Sequence, residues 1–151
     1  MVAKYTAEDI AKWMILHNQT FVDNGSADLI SNLKLQKLLY YAQGVFLAAN
    51  DKPLFDDDIV AWQYGPVVEK VYQKYKMFGS NGIECDKSED LPAISPEDAS
   101  LLSEVMDEFG KYSAIGLMYM THSETPWRTT NRSEVISKDK IKKYFKEHYV
   151  C

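Results

Sequence analysis

The stretch "NLKLQKLLYYAQGVFLAAN", residues 32–50, decides the fold. Leu35, Leu38, Leu39, Ala42, Phe46 and Ala49 recur three and four positions apart, the spacing of one helix face, while Lys34, Gln36 and Lys37 fall off that stripe. No proline interrupts the run. The spacing predicts a long helix placed centrally, on which the rest of the chain packs.

Upstream, "TAEDIAKWM" opens with Thr6 as an N-cap and Asp9 three residues on, a variant of the capping box. Ile10, Trp13, Met14, His17 and Phe21 follow at helical spacing, until the turn residues of "DNGSAD" break the pattern. Downstream, Pro53 and three aspartates punctuate "DKPLFDDDIVAWQYGP" around a short apolar run, Ile59 to Trp62, which is either a strand or an extended connector. Gly65-Pro66 is expected to restart a helix, because proline's fixed φ suits a first turn where its missing N–H costs nothing. Val67, Val71 and Tyr75 would then share a face, with Gly79 as the stop.

"NGIECDKSEDLPAI" reads as a polar loop with a short strand near Ile83. Ser95-Pro96-Glu97-Asp98 is a helix start: a serine that accepts N–H bonds, a proline in the first turn, and two acids at the positive end of the dipole. Leu101, Leu102, Val105 and Phe109 form its buried stripe, and Gly110 ends it. A further helix runs from about Ser113 through Thr121 with Ile115, Met118 and Tyr119 as its apolar set, and a last one starts at Ser137, led by Ile141, Tyr144 and Phe145. The expected fold is mainly α: a single compact domain over residues 1–151, about six helices, with room for a small β-hairpin or short strands.

Composition narrows the function classes. Hydrophobic residues at 46% and aromatics at 13% support a packed core without disulfides. The opening "MVAKYTAEDIAKW" lacks the apolar run of a signal peptide, and no segment has the length of a membrane span, so a cytoplasmic protein is expected. Cys85 and Cys151 have neither disulfide nor zinc spacing and are read as free thiols; "NRS" at 131–133 has no consequence without secretion. A net charge of −5 and a pI near 5.2 argue against extended nucleic-acid binding. The charge is polarised: Glu84 to Glu108 holds nine acids and one lysine, whereas "SKDKIKKYFK" carries five lysines against Asp139. Such runs are ordinarily solvated faces, and that holds for Lys138, Lys142 and Lys146.

"MTHSETPWRTT", residues 120–130, is the one place where reactive side chains cluster. An enzyme would use His122 as base, Ser123 as nucleophile and Glu124 to orient the imidazole. Adjacent residues at a helix end diverge, whereas a nucleophile and its base must converge. His122 also continues the stripe of Ile115, Met118 and Tyr119, which places it at the core edge with a backbone carbonyl as partner. Thr125-Pro126 then caps one more helical turn and sets Trp127 against the domain. A folded corner is preferred to a catalytic centre. Asp56, Asp57 and Asp58 lack the alternation and glycine of a calcium loop and form a solvated turn; no residue pattern calls for a metal or a cofactor.

Three ordered stretches carry a family resemblance: "KLQKLLYYAQG" at 34–44, "PLFDDDIVAWQYGPVVEKVY" at 53–72 and "THSETPW" at 121–127. Together they resemble the Panacea antitoxin domain, also called SocA-like and often phage-associated, over about residues 33–147. The loop at 80–95 and Gly116 depart from that pattern, and no helix-turn-helix module accompanies it. The resemblance implies an antitoxin that neutralises, by direct binding, a toxin encoded by a neighbouring gene. It transfers no catalytic residues. One branch of the family works as an adaptor that delivers its toxin to a protease, so a protease or chaperone is a second implied partner, and a hydrolase or nuclease using His122 is the remaining alternative. Lys34, Gln36, Lys37, Trp62, Tyr64, Thr121, His122 and Trp127 are the motif residues expected to form either a toxin-binding surface or a structural hub. The acidic segment 84–108 would suit a toxin with a basic groove.

Overall fold

Helix α2, Asn32–Asn50, is nearly enclosed, with Leu35, Leu38, Leu39, Tyr40, Tyr41 and Ala42 all at 0% exposure. A computed structural model describes residues 3–84 and 90–150; Cys85 and Cys151 lie outside them. Around α2 are arranged α1 (Ala7–Asp23), α3 (Glu69–Tyr75) with a 3-10 turn at Lys76–Phe78, α4 (Pro96–Phe109), α5 (Ala114–His122), the single turn α6 (Thr125–Arg128) and α7 (Lys138–His148). Strands β1 (Ile59–Trp62), β2 (Gly65–Val67) and β3 (Val135–Ile136) form one antiparallel sheet in the order β2-β1-β3, with Val60 opposite Val67 and Ile59 opposite Ile136. The fold is mainly α, with seven helices among the described residues, and α2 packs on α1, α3, α4, α5, α7 and β2. None of the helices is long and apolar enough to cross a membrane, among the described residues.

Helix starts follow the local chemistry of the chain. Thr6 and Asp9 form the reciprocal capping box of α1, and Ser31, Ser95, Ser113 and Ser137 each accept a backbone N–H at the start of α2, α4, α5 and α7. Ile10, Trp13 and Met14 are buried, but the α1 stripe frays toward Phe21, 39% exposed, with His17 stacked on Trp13 between them. Leu102, Val105 and Phe109 of α4 and Ile141 and Phe145 of α7 face the core.

Four expectations are corrected. Gln36 and Lys37, off the apolar stripe of α2, are nonetheless buried, at 1% and 0% exposure, because the surrounding layer closes over that side too; Ala49, on the stripe, is exposed where the helix leaves the core. Gly65-Pro66 starts no helix. Gly65 has φ +112°, outside helical space, and Pro66 lies in an edge strand, where a missing donor is tolerated; α3 begins only at Glu69. The apolar set of α5 is reversed: Leu117 and Thr121 face inward, while Ile115 and Tyr119 are 52% and 66% exposed. Ile83 is buried and donates its N–H to the Ile30 carbonyl at 2.7 Å, beside an isolated bridge between Ser31 and Gly82, but no strand forms there.

The charged stretches have specific tasks. The Asp56–Asp58 turn sends its carboxylates to three places: Asp56 accepts from the Ala3 N–H, Asp57 from the Ala7 N–H at 3.0 Å, and Asp58 pairs with Lys138. Lys142 and Lys146 both reach Asp51 at 2.9 Å, the left-handed residue that ends α2. The lysine face of α7 therefore clamps two turns of the fold and is more than a solvated surface.

Candidate functional site

The polar residues of α2 hold the segment 53–68 by its backbone. Gln43 accepts from the Leu54 N–H at 2.7 Å and donates to the Phe55 carbonyl at 2.8 Å. Gln36 accepts from the Val68 N–H at 2.9 Å and donates to Asn32. Lys37 donates to the Pro66 carbonyl at 3.1 Å, with no carboxylate partner among the described residues, and burial lowers its amine to about 7. Gly65 is required beside it: a Cβ there would stand 2.5 Å from Lys37 Cε and 3.0 Å from Thr121 Oγ1.

The turn between β1 and β2 brings Gln63 and Tyr64 to the C-terminal end of α5. His122 stacks on Trp127 with ring centroids 4.0 Å apart and forms a hydrogen bond with the Gln63 backbone, the backbone partner expected for it. Partial burial holds its imidazole below the usual range, against that hydrogen bond, with Lys37 and Arg132 adding smaller repulsions. Trp127 donates through Nε1 to the Trp62 carbonyl at 2.8 Å, and the Arg132 guanidinium lies 3.6 Å from its ring centroid. Thr121 is buried and donates to the Met118 carbonyl.

Lys37, Trp62, Thr121, His122 and Trp127 thus meet at one corner, with Tyr64 exposed at its rim and Gln36 one step away on Val68. Lys34 does not join them; it reaches the other way and donates to the Gly110 carbonyl at 2.6 Å, where α4 ends.

Glu124 is the residue whose role differs most from expectation. It turns away from His122 into the core, at 2% exposure, and accepts hydrogen bonds from the Tyr40, Tyr41 and Tyr149 hydroxyls. Burial raises its carboxyl and the three phenolic bonds oppose that rise; burial and the nearby carboxylate keep Tyr40, Tyr41 and Tyr149 protonated as donors. This knot ties α2 to α6 and to the end of α7. A signal existed in the sequence: Tyr40 and Tyr41 stand in succession on a helix expected to be central, where buried hydroxyls ordinarily find partners, and "SET" holds a lone acid.

What the corner can do chemically follows from these engagements. His122 and Glu124 do not converge, and Ser123 donates to the Met120 carbonyl, so the trio forms no relay. No group of three or more His, Cys, Asp or Glu side chains capable of holding a metal occurs among the described residues.

The family model for the antitoxin SocA-like Panacea domain matches residues 35–128, which spans α2 from its fourth residue, the β1–β2 hairpin, α3, α4, α5 and α6. The chain belongs to the SocA-like Panacea antitoxin family. Antitoxin SocA of Caulobacter vibrioides (strain NA1000 / CB15N) is 36% identical over 109 residues, which cover 65% of this chain. The match spans 58% of that relative's length. No solved structure matches the chain. The Panacea match encloses the whole corner and Glu124 with Tyr40 and Tyr41, but stops short of Tyr149, so the third hydroxyl of the knot comes from outside the matched residues.

Proposed function

We propose that this chain is the antitoxin of a toxin–antitoxin pair and that it holds a toxin, encoded by a neighbouring gene and acting in the same cytoplasm, inactive by binding it directly. Family membership supplies the context. The observation that carries the reading is where the polar motif residues go: Gln36, Lys37 and Gln43 hold the chain's own backbone, Glu124 is occupied by three tyrosines, and His122 is stacked under Trp127. Side chains engaged in this way build a rigid shape and leave recognition to the surface it displays. On this reading the motif residues are the structural hub, and neutralisation needs no bond to be made or broken.

Co-expression with the neighbouring gene's product tests the reading, scored by growth rescue and by co-purification. Rescue with a stable complex is expected, and His122→Ala should retain both if it folds. Rescue that disappears in a folded His122→Ala chain, with the complex intact, would favour an enzyme.

A further inference from the structure

Between α2, α4 and the residues that follow α7 lies a cleft of about 440 Å³, a volume within the roughly 300–1,000 Å³ of sites that hold a ligand group. One wall is a single stripe of α4, Leu101, Glu104, Val105 and Glu108, spaced i, i+3, i+4 and i+7. Ala49 of α2 stands in the facing wall, and Phe109 and Tyr149, ring centroids 5.5 Å apart and nearly perpendicular, line the same space. The lining is therefore apolar except for two carboxylates on one side and His148 beside Tyr149.

Those two carboxylates are placed where their own helix disfavours them. Glu104 and Glu108 are like charges at i, i+4, and both lie in the C-terminal half of α4, toward the negative end of its dipole, with no basic residue in the last turn. The other acids of α4 have local tasks or different surroundings. Glu97 and Asp98 sit in the first turn, where the dipole favours them, and Asp98 accepts from the Tyr5 hydroxyl at 2.7 Å. Asp107 lines a separate hollow with His17 and Lys34. Glu104 has no ion-pair partner among the described residues, and Glu108 meets Lys111 of the following turn at 3.4 Å, an exposed pair that contributes little.

We infer that this cleft is the docking site for a basic segment of the toxin, whose Lys or Arg stems lie on the apolar lining with their charged heads on Glu104 and Glu108. The inference rests on the direct-binding reading above and adds the place and the chemistry. The cleft supplies the shape, and the carboxylates decide the occupant. An apolar surface closing the cleft would strip water from both without pairing them, and an acidic or phosphate surface would be repelled. A long cationic side chain satisfies both parts, its methylenes against Leu101 and Val105 and its head on the oxygens. A second copy of this chain is a poorer source of such a segment, because Lys138, Lys142 and Lys146 of its lysine-rich α7 are already paired with Asp58 and Asp51. The larger cleft, about 470 Å³, sets Lys4 and Lys52 against Glu97 and Asp98 and selects no one sign of charge.

The test measures binding of the purified neighbouring gene product to the purified chain and to three variants. Glu104→Gln/Glu108→Gln removes the charges, Ala49→Trp fills the cleft without changing charge, and Glu69→Gln/Glu134→Gln makes the same charge change on other surfaces. The expected result is a wild-type affinity that weakens as salt is raised, a loss on the order of tenfold or more for each cleft variant, and no comparable loss for the control. A thermal melt accompanies each, and Glu104→Gln/Glu108→Gln should melt no lower than wild type, since it relieves a repulsion. Folded cleft variants that bind as tightly as wild type would overturn the inference while leaving direct binding intact. A loss shared equally by the control would reduce the effect to net charge, and a loss on charge removal that Ala49→Trp does not reproduce would place the toxin outside the cleft; either overturns it. A free wild-type dimer that the cleft variants dissolve without affecting toxin binding would assign the cleft to a second copy. A wild-type chain that forms no complex at all overturns the direct-binding reading itself.

Discussion

Lys37 and Glu124 are opposite cases of a buried ionisable group. Glu124 is fully partnered, so truncation is costly: Glu124→Ala leaves three phenolic donors without an acceptor and should destabilise the chain by about 3 kcal/mol or more in a urea titration. Lys37 has one carbonyl and, among the described residues, no counter-charge, and its amine is lowered to about 7 from 10.5. Between those values the unfolded chain binds the proton that the folded chain has released, so folding stability rises with pH across that window, and the penalty is fully present below it. Wild type should therefore gain about 2 kcal/mol relative to Lys37→Met between about pH 7 and pH 9, from parallel denaturations at each pH. A difference that stays flat with pH would mean that Lys37 keeps its charge in the fold. Neither group's setting could be taken from residue type. The sequence places Lys37 off the stripe, which is correct, but off the stripe means exposed only when a helix has a wet side, and α2 has almost none.

At the scale of elements, the hairpin and the α5–α6 corner depend on two contacts. Trp127→Phe removes the Nε1–H bond to the Trp62 carbonyl while keeping most of the stack on His122, and should cost about 1 kcal/mol in a thermal or chemical melt. Gly65→Ala places a side chain at φ +112° and against Lys37 Cε, and should cost about 2 kcal/mol or more. The elements legible in the sequence were those announced by their own starts: Thr6, Ser95, Ser113 and Ser137 all begin helices where expected. Gly65-Pro66 was misread because glycine and proline mark a change of direction without specifying the conformation that follows, and tertiary pairing with β1 decided it. Reversal of the α5 face has a different cause. Its residues are apolar nearly all round, so periodicity contains no information about which side is inward, and α2 selects Leu117 and Thr121.

For the whole molecule, the recognisable motifs describe the scaffold better than the surface. Five of the eight motif residues meet at one corner, and of the exposed large hydrophobic side chains only Tyr64 is one of the eight. Motif spacing reports what the fold needs, while an interface is fitted to a partner that the chain does not contain. Neutralisation by direct and non-catalytic binding is tested by mixing the purified chain with the purified neighbouring gene product at increasing ratio and following the mass of complex and of each component. Direct, non-catalytic binding gives a complex of fixed ratio in which both chains keep their intact masses. No complex between two folded proteins, or a gene product cut or covalently altered by less than an equal amount of this chain, would contradict it.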